Sequence, residues 1–108
     1  MAWWRSKPLS LERLDDMIDA TCEDDAQLFI RAMRGTRVDW HGQMGVLTQL
    51  DGMLRVAVKL HCSCCQGQST VYAGGGIYYG GWLYIYDADN NLLVNLREEP
   101  FVCKECKG

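Results

Sequence analysis

The sequence predicts an α+β fold, with two short N-terminal helices followed by an antiparallel β-sheet. In the first third, apolar residues recur every three or four positions, which is typical of amphipathic helices. After Gly35 they alternate with polar residues, which is typical of half-buried strands. Two C-x-x-C-x-G motifs, at residues 62–67 and 103–108, frame the later strands. With 108 residues, of which 48% are hydrophobic, the chain fits a single domain over residues 1–108.

The helices are predicted from their caps and their apolar spacing. The first follows Ser10, whose hydroxyl can cap the first turn, and ends near Ala20. Its apolar face consists of Leu11, Leu14 and Ile18. The second begins at a capping box formed by Thr21 and Asp24, and Gly35 supplies its stop.

The strands are predicted as a hairpin followed by a meander. Asp51-Gly52 suits a two-residue turn that pairs residues 45–50 with a strand over residues 54–60. Glycines and a turn over residues 88–91 separate the later strands. Those strands cover residues 69–73, 82–87 and 92–97. We therefore expect a sheet of about five strands.

Each C-x-x-C-x-G motif can direct two sulfur atoms to one point, because the two intervening residues form a tight turn and the glycine lets the backbone curl. Two such motifs supply the four ligands of a tetrahedral metal site. The predicted ligands are Cys62, Cys65, Cys103 and Cys106. Cys64 and His61 lie beside them and remain alternative ligands. Cys22 is expected to pack in the helical core as a small hydrophobic residue.

Two C-x-x-C units that flank a β-meander resemble a zinc ribbon, and the added glycine is similar to the C-x-x-C-x-G repeats of the DnaJ cysteine-rich domain. The DnaJ pattern has four repeats and two zinc ions. This chain has two repeats, so the resemblance implies one Zn²⁺ and does not imply chaperone activity. An all-sulfur ligand set leaves no open coordination position, which favours a structural zinc. Iron in the same tetrahedron and a redox-active dithiol are the alternatives.

Charge is unevenly distributed in a chain with a formal net charge of -3. Residues 12–25 contain seven acidic residues and one arginine, whereas residues 26–60 contain five basic and two acidic residues. An acidic protein binds phosphates at a disadvantage, and concentrated acidic residues favour docking of the helices on a basic protein surface. A solvated helix face is the alternative. The alternative function is a zinc-ribbon-like regulator that binds nucleic acid. It is supported by a stripe of five basic residues, which are Arg31, Arg34, Arg37, Arg55 and Lys59.

The predicted partner surface has an acidic part and an aromatic part. The acidic part consists of Asp15, Asp16 and Asp19, beside the apolar stripe of the first helix. The aromatic part consists of Trp82, Tyr84 and Tyr86, on one side of a strand, and Tyr72, Tyr78 and Tyr79 could extend it. Large aromatic side chains favour interfaces, including one with a second copy of the chain. Their packing in the domain's own core is the alternative.

The sequence contains no recognisable catalytic motif. His41 and His61 belong to no known constellation, and the glycines lack the lysine of a phosphate-binding loop. No apolar run has the length of a membrane span, and the first residues do not resemble a signal peptide. We therefore predict a cytoplasmic, non-enzymatic protein-binding module with one structural zinc. It would act as a small acidic inhibitor or adaptor of a larger machine, such as one that handles nucleic acid.

Overall fold

The computed structural model describes residues 7–75 and 81–107, which form three α-helices and one seven-stranded sheet. Tyr78, Tyr79 and Gly108 lie outside these ranges. The helices are α1 (Leu11–Ala20), α2 (Ala26–Met33) and α3 (Lys104–Lys107). The strands are β1 (Leu9–Ser10), β2 (Arg37–Trp40), β3 (Gln43–Leu50), β4 (Met53–His61), β5 (Gln68–Gly74), β6 (Tyr84–Tyr86) and β7 (Leu92–Asn95).

The α+β class is confirmed, but the sheet is larger than the five strands expected, and α3 lies near the other end of the chain. The sheet follows chain order from β1 to β7. The pairing of β1 with β2 is parallel and all the other pairings are antiparallel. The two strands that the sequence did not predict, β1 and β2, are short. β1 has only two residues, which are too few to show an alternating pattern.

The cap predicted for α1 is present, whereas the capping box predicted for the second helix is wrong. Ser10 Oγ accepts a hydrogen bond from Arg13 N at 3.1 Å. Thr21 Oγ1 instead donates to Met17 O at 2.7 Å, so this hydroxyl closes the end of α1. A single 3-10 turn over Glu23–Asp25 then leads into α2, which has no side-chain cap.

The predicted hairpin turn between β3 and β4 is confirmed. Asp51 and Gly52 have φ angles of 51° and 79°, and Leu50 pairs with Met53 across the turn. Positive φ at both central residues matches the right-handed twist of paired strands. The strand expected over residues 82–87 is shorter, because Trp82 has a φ of 68° and β6 begins only at Tyr84.

The sheet curls around its core, and α1 packs into the concave side. Trp40 Nε1, in β2, donates to Trp82 O at 2.8 Å. Four strand spacings separate β2 from β6, which would be about 19 Å in a flat sheet, so this contact requires strong curvature. The side chains in the core include Leu14 of α1, Val38, Leu47, Val56 and Ile85. β7 ends at Asn95, which pairs with Tyr84 at the start of β6 and so lies at the opposite end of the sheet from the end of β4. Residues 96–102 run back to the turn after β4, where Phe101 O accepts a hydrogen bond from Ser63 N.

Candidate metal centre

The first cysteine motif forms the tight turn that joins β4 to β5. Cys62 directly follows the last residue of β4, and its N–H donates to Gly67 O at 2.8 Å. Gln66 N donates to Cys62 O at 3.0 Å, and Gln66 itself has a φ of 63°. The turn therefore folds back on itself, with Cys62 buried and Cys65 exposed.

Backbone N–H groups converge on the buried Cys62 sulfur. Cys62 Sγ accepts from Cys64 N at 3.3 Å, Cys65 N at 3.5 Å and Cys103 N at 3.3 Å. These donors stabilise the thiolate, the bond from Cys103 most strongly, and they lower the pKa of Cys62 to about 6. A sulfur that accepts several N–H bonds is prepared to ligate a metal.

The second motif is held against the first by backbone contacts. Phe101 is buried, and its carbonyl accepts from Ser63 N at 2.9 Å. Lys107 N donates to Cys103 O at 2.9 Å, which closes the single turn of α3. This turn brings Cys103 and Cys106 to the side of the first motif.

The four cysteines predicted as ligands come together. Their Sγ atoms all lie within 4.8 Å of one another, and Cys65 Sγ lies 3.8 Å from Cys103 Sγ. Tetrahedral coordination with metal–sulfur bonds of about 2.3 Å gives sulfur–sulfur edges of about 3.8 Å, so these four side chains can hold one metal ion. Within residues 7–75 and 81–107, this is the one such group of metal-ligating side chains, and it excludes Cys64 and His61.

Neighbouring sulfur atoms raise the pKa of two thiols of the cluster, Cys65 and Cys106. The pKa of Cys106 is raised, chiefly by the neighbouring Cys103 and Cys64 thiols. A hydrogen bond from Gly67 N to Cys65 Sγ, at 3.4 Å, lowers the pKa of Cys65, but the Cys62 and Cys103 sulfurs outweigh it and the pKa is raised. A divalent cation offsets the repulsion among four thiolates, so metal binding would release protons.

Side-chain contacts also fix α3 to the sheet. Lys104 Nζ lies 3.0 Å from Asp87 Oδ2, and Lys107 Nζ donates to Leu93 O at 3.1 Å. Asp87 Oδ1 accepts from the backbone N–H groups of Asp89 and Asn91, both at 2.9 Å. The turn signal of residues 88–91 is visible in the sequence, but no local pattern links Asp87 to a lysine 17 positions away.

Several other candidate residues lie elsewhere than the sequence suggested. Asp15 and Trp82 are not exposed: they are 7% and 2% accessible, and Trp82 Nε1 donates to Asp15 Oδ1 at 2.9 Å. Arg55 is also buried, with its guanidinium 4.0 Å from the centre of the Tyr86 ring. Cys22 is exposed and does not pack in the core.

The remaining candidates stay at least partly accessible. Asp16 and Asp19 are exposed on α1, whereas Tyr84 and Tyr86 are half-buried on β6. Arg31, Arg34, Arg37 and Lys59 are exposed, so burial of Arg55 removes one of the five bases from the predicted basic stripe. His41 is exposed and pairs with Gly81 O at 2.9 Å.

Comparisons with known proteins identify no relative of this chain. No protein-family model matches the chain, and no curated protein or solved structure is significantly similar to it. Among the described residues, no helix has the length and apolar character needed to cross a membrane. The geometry therefore defines one class of site, a four-cysteine cluster that can hold a metal ion.

Proposed function

We propose that this protein is a non-enzymatic protein-binding module stabilised by one structural Zn²⁺. The all-sulfur donor set supports the structural role, because four thiolates complete a tetrahedral coordination sphere. A bound ion would join the turn after β4 to α3 and hold the two ends of the meander together. The ion would then contribute to folding and would not activate water.

The observation that carries the binding role is an acidic corner between α1 and α2. We define the acidic corner as the exposed residues Asp16, Asp19, Glu23, Asp24 and Asp25. In the described part of the chain, the one ion pair is Lys104–Asp87, so none of these five carboxylates forms an ion pair there. Concentrated, unpaired surface charge attracts and orients a partner of opposite sign. We infer that this partner is a basic protein surface, which suits a small inhibitor or adaptor.

Affinity capture from native cell lysate, with and without nuclease treatment, tests this role. The expected result is a stoichiometric protein partner that survives nuclease. The double variant Asp24→Asn/Asp25→Asn should weaken its capture, whereas Glu98→Gln/Glu99→Gln removes the same charge at exposed positions outside the corner and should not.

Two outcomes would contradict the proposal. Equal loss of capture in both double variants would show that net charge matters and that the acidic corner does not. Recovery of nucleic acid without a protein would favour the alternative regulator, and substitution of Arg31, Arg34 and Arg37 would then have to reduce the salt dependence of binding.

A further inference from the structure

A groove of about 400 Å³ lies between the two N-terminal helices and the β3–β4 hairpin. Its walls are mainly apolar and include Ile18, Ala26, Phe29, Ile30, Met53 and Leu54. Met53 is 49% exposed, so part of this apolar lining faces solvent. The volume falls in the range of about 300–1,000 Å³ typical of ligand sites, which is sufficient for anchoring side chains.

The exposed charged residues that line the groove are acidic. Asp19 and Glu23 line it, are exposed, and belong to the acidic corner. Arg55 also lines it, but its guanidinium stacks on Tyr86, and its Nε donates to Asn90 Oδ1 at 3.1 Å. Arg55 is only 7% accessible, whereas Asp19 and Glu23 are exposed, so a ligand that approaches from solvent meets carboxylates first.

We propose that this groove binds a basic amphipathic helix of a partner protein. Apolar side chains at helical spacing would enter the groove, and flanking lysines or arginines would face the acidic corner. The negative rim repels nucleic acid and anionic membranes, and a second copy of the chain would bring two acidic corners together. The inference rests on the proposed function and names the surface and the chemical class of the partner.

Two synthetic helical peptides test the groove directly. Both peptides repeat the leucine spacing i, i+3, i+4 and i+7 along about four helical turns. The remaining positions are lysine in one peptide and glutamate in the other. We expect fluorescence anisotropy to detect binding of the leucine–lysine peptide at low salt and weaker binding at about 0.5 M salt. The leucine–glutamate peptide should not bind.

A matched pair of methionine variants locates the site. Met53 and Met44 are both 49% exposed, but only Met53 lines the groove. Met53→Ser should weaken binding of the leucine–lysine peptide by about three- to tenfold, because it removes apolar surface that the peptide would bury. Met44→Ser should change it by less than about twofold.

The outcomes separate this inference from the proposed function. Equal effects of the two methionine variants, equal binding of the two peptides, or no binding of either would overturn the groove assignment. If a captured partner depends on Asp24 and Asp25 but binds Met53→Ser normally, the acidic corner acts without the groove. The proposed function would then stand and the present inference would fall.

Discussion

The buried hydrogen bond between α1 and the segment before β6 leads to a quantitative stability prediction. Trp82 Nε1 donates to Asp15 Oδ1 at 2.9 Å, and both side chains are buried. Asp15→Ala leaves the indole N–H without this acceptor, which costs about 2–3 kcal/mol. The higher helix propensity of alanine offsets at most about 0.7 kcal/mol of this cost, so the free energy of unfolding should fall by about 2 kcal/mol. For 108 residues this corresponds to a fall in Tm of about 8–9 °C.

Thermal unfolding of the zinc-saturated protein, followed by circular dichroism, measures this loss. Asp16→Ala is the matched control, because Asp16 is the next residue of α1 and is exposed. It should change the free energy of unfolding by no more than about 0.5 kcal/mol, or about 2 °C in Tm. Equal Tm values for the two variants would refute the structural role assigned to Asp15.

Two further predictions concern the sheet and the turn that fixes α3. Gly45→Ala should lower the free energy of unfolding by about 1–3 kcal/mol, because its added Cβ would lie 2.5 Å from Val56 Cγ1 and 2.9 Å from Val58 Cγ1. A urea titration measures this loss, and an unchanged midpoint would contradict the close packing at Gly45. The Asn91 N–H and neighbouring donors lower the pKa of Asp87 to about 2, below the usual value of about 3.9. Ionised Asp87 therefore stabilises the fold above about pH 4, and this contribution is lost as the pH falls through 2. At neutral pH, where Asp87 is ionised and the metal site is intact, Asp87→Asn should lower the midpoint of a urea titration, and an unchanged midpoint would contradict this role.

The features that could be predicted from the sequence depend on local chemistry. Asp51-Gly52 fixes a turn by its own backbone preferences, and the cap at Ser10 needs only the next three residues. The cysteine cluster was predictable because each motif brings two sulfurs together locally. The segment after β7 then returns the chain to the turn after β4, where the four sulfur atoms meet.

The features that could not be predicted depend on distant partners. Asp15 and Arg55 are charged residues that usually lie at the surface, and each is buried here against an aromatic ring far along the chain. The sequence contains the rings Trp82 and Tyr86 but no sign of which charge each one contacts. The groove is likewise assembled from two helices and a hairpin, so no single segment indicates it.

The central claim, that four cysteines bind one structural zinc, is tested most directly by metal content. Inductively coupled plasma mass spectrometry should find one zinc per chain in the purified wild-type protein. The Cys64→Ser variant should keep that zinc, because Cys64 lies outside the cluster, whereas Cys103→Ser should lose both the zinc and the folded structure. A wild-type protein without stoichiometric metal, or a Cys103→Ser variant with full zinc content, would contradict the account.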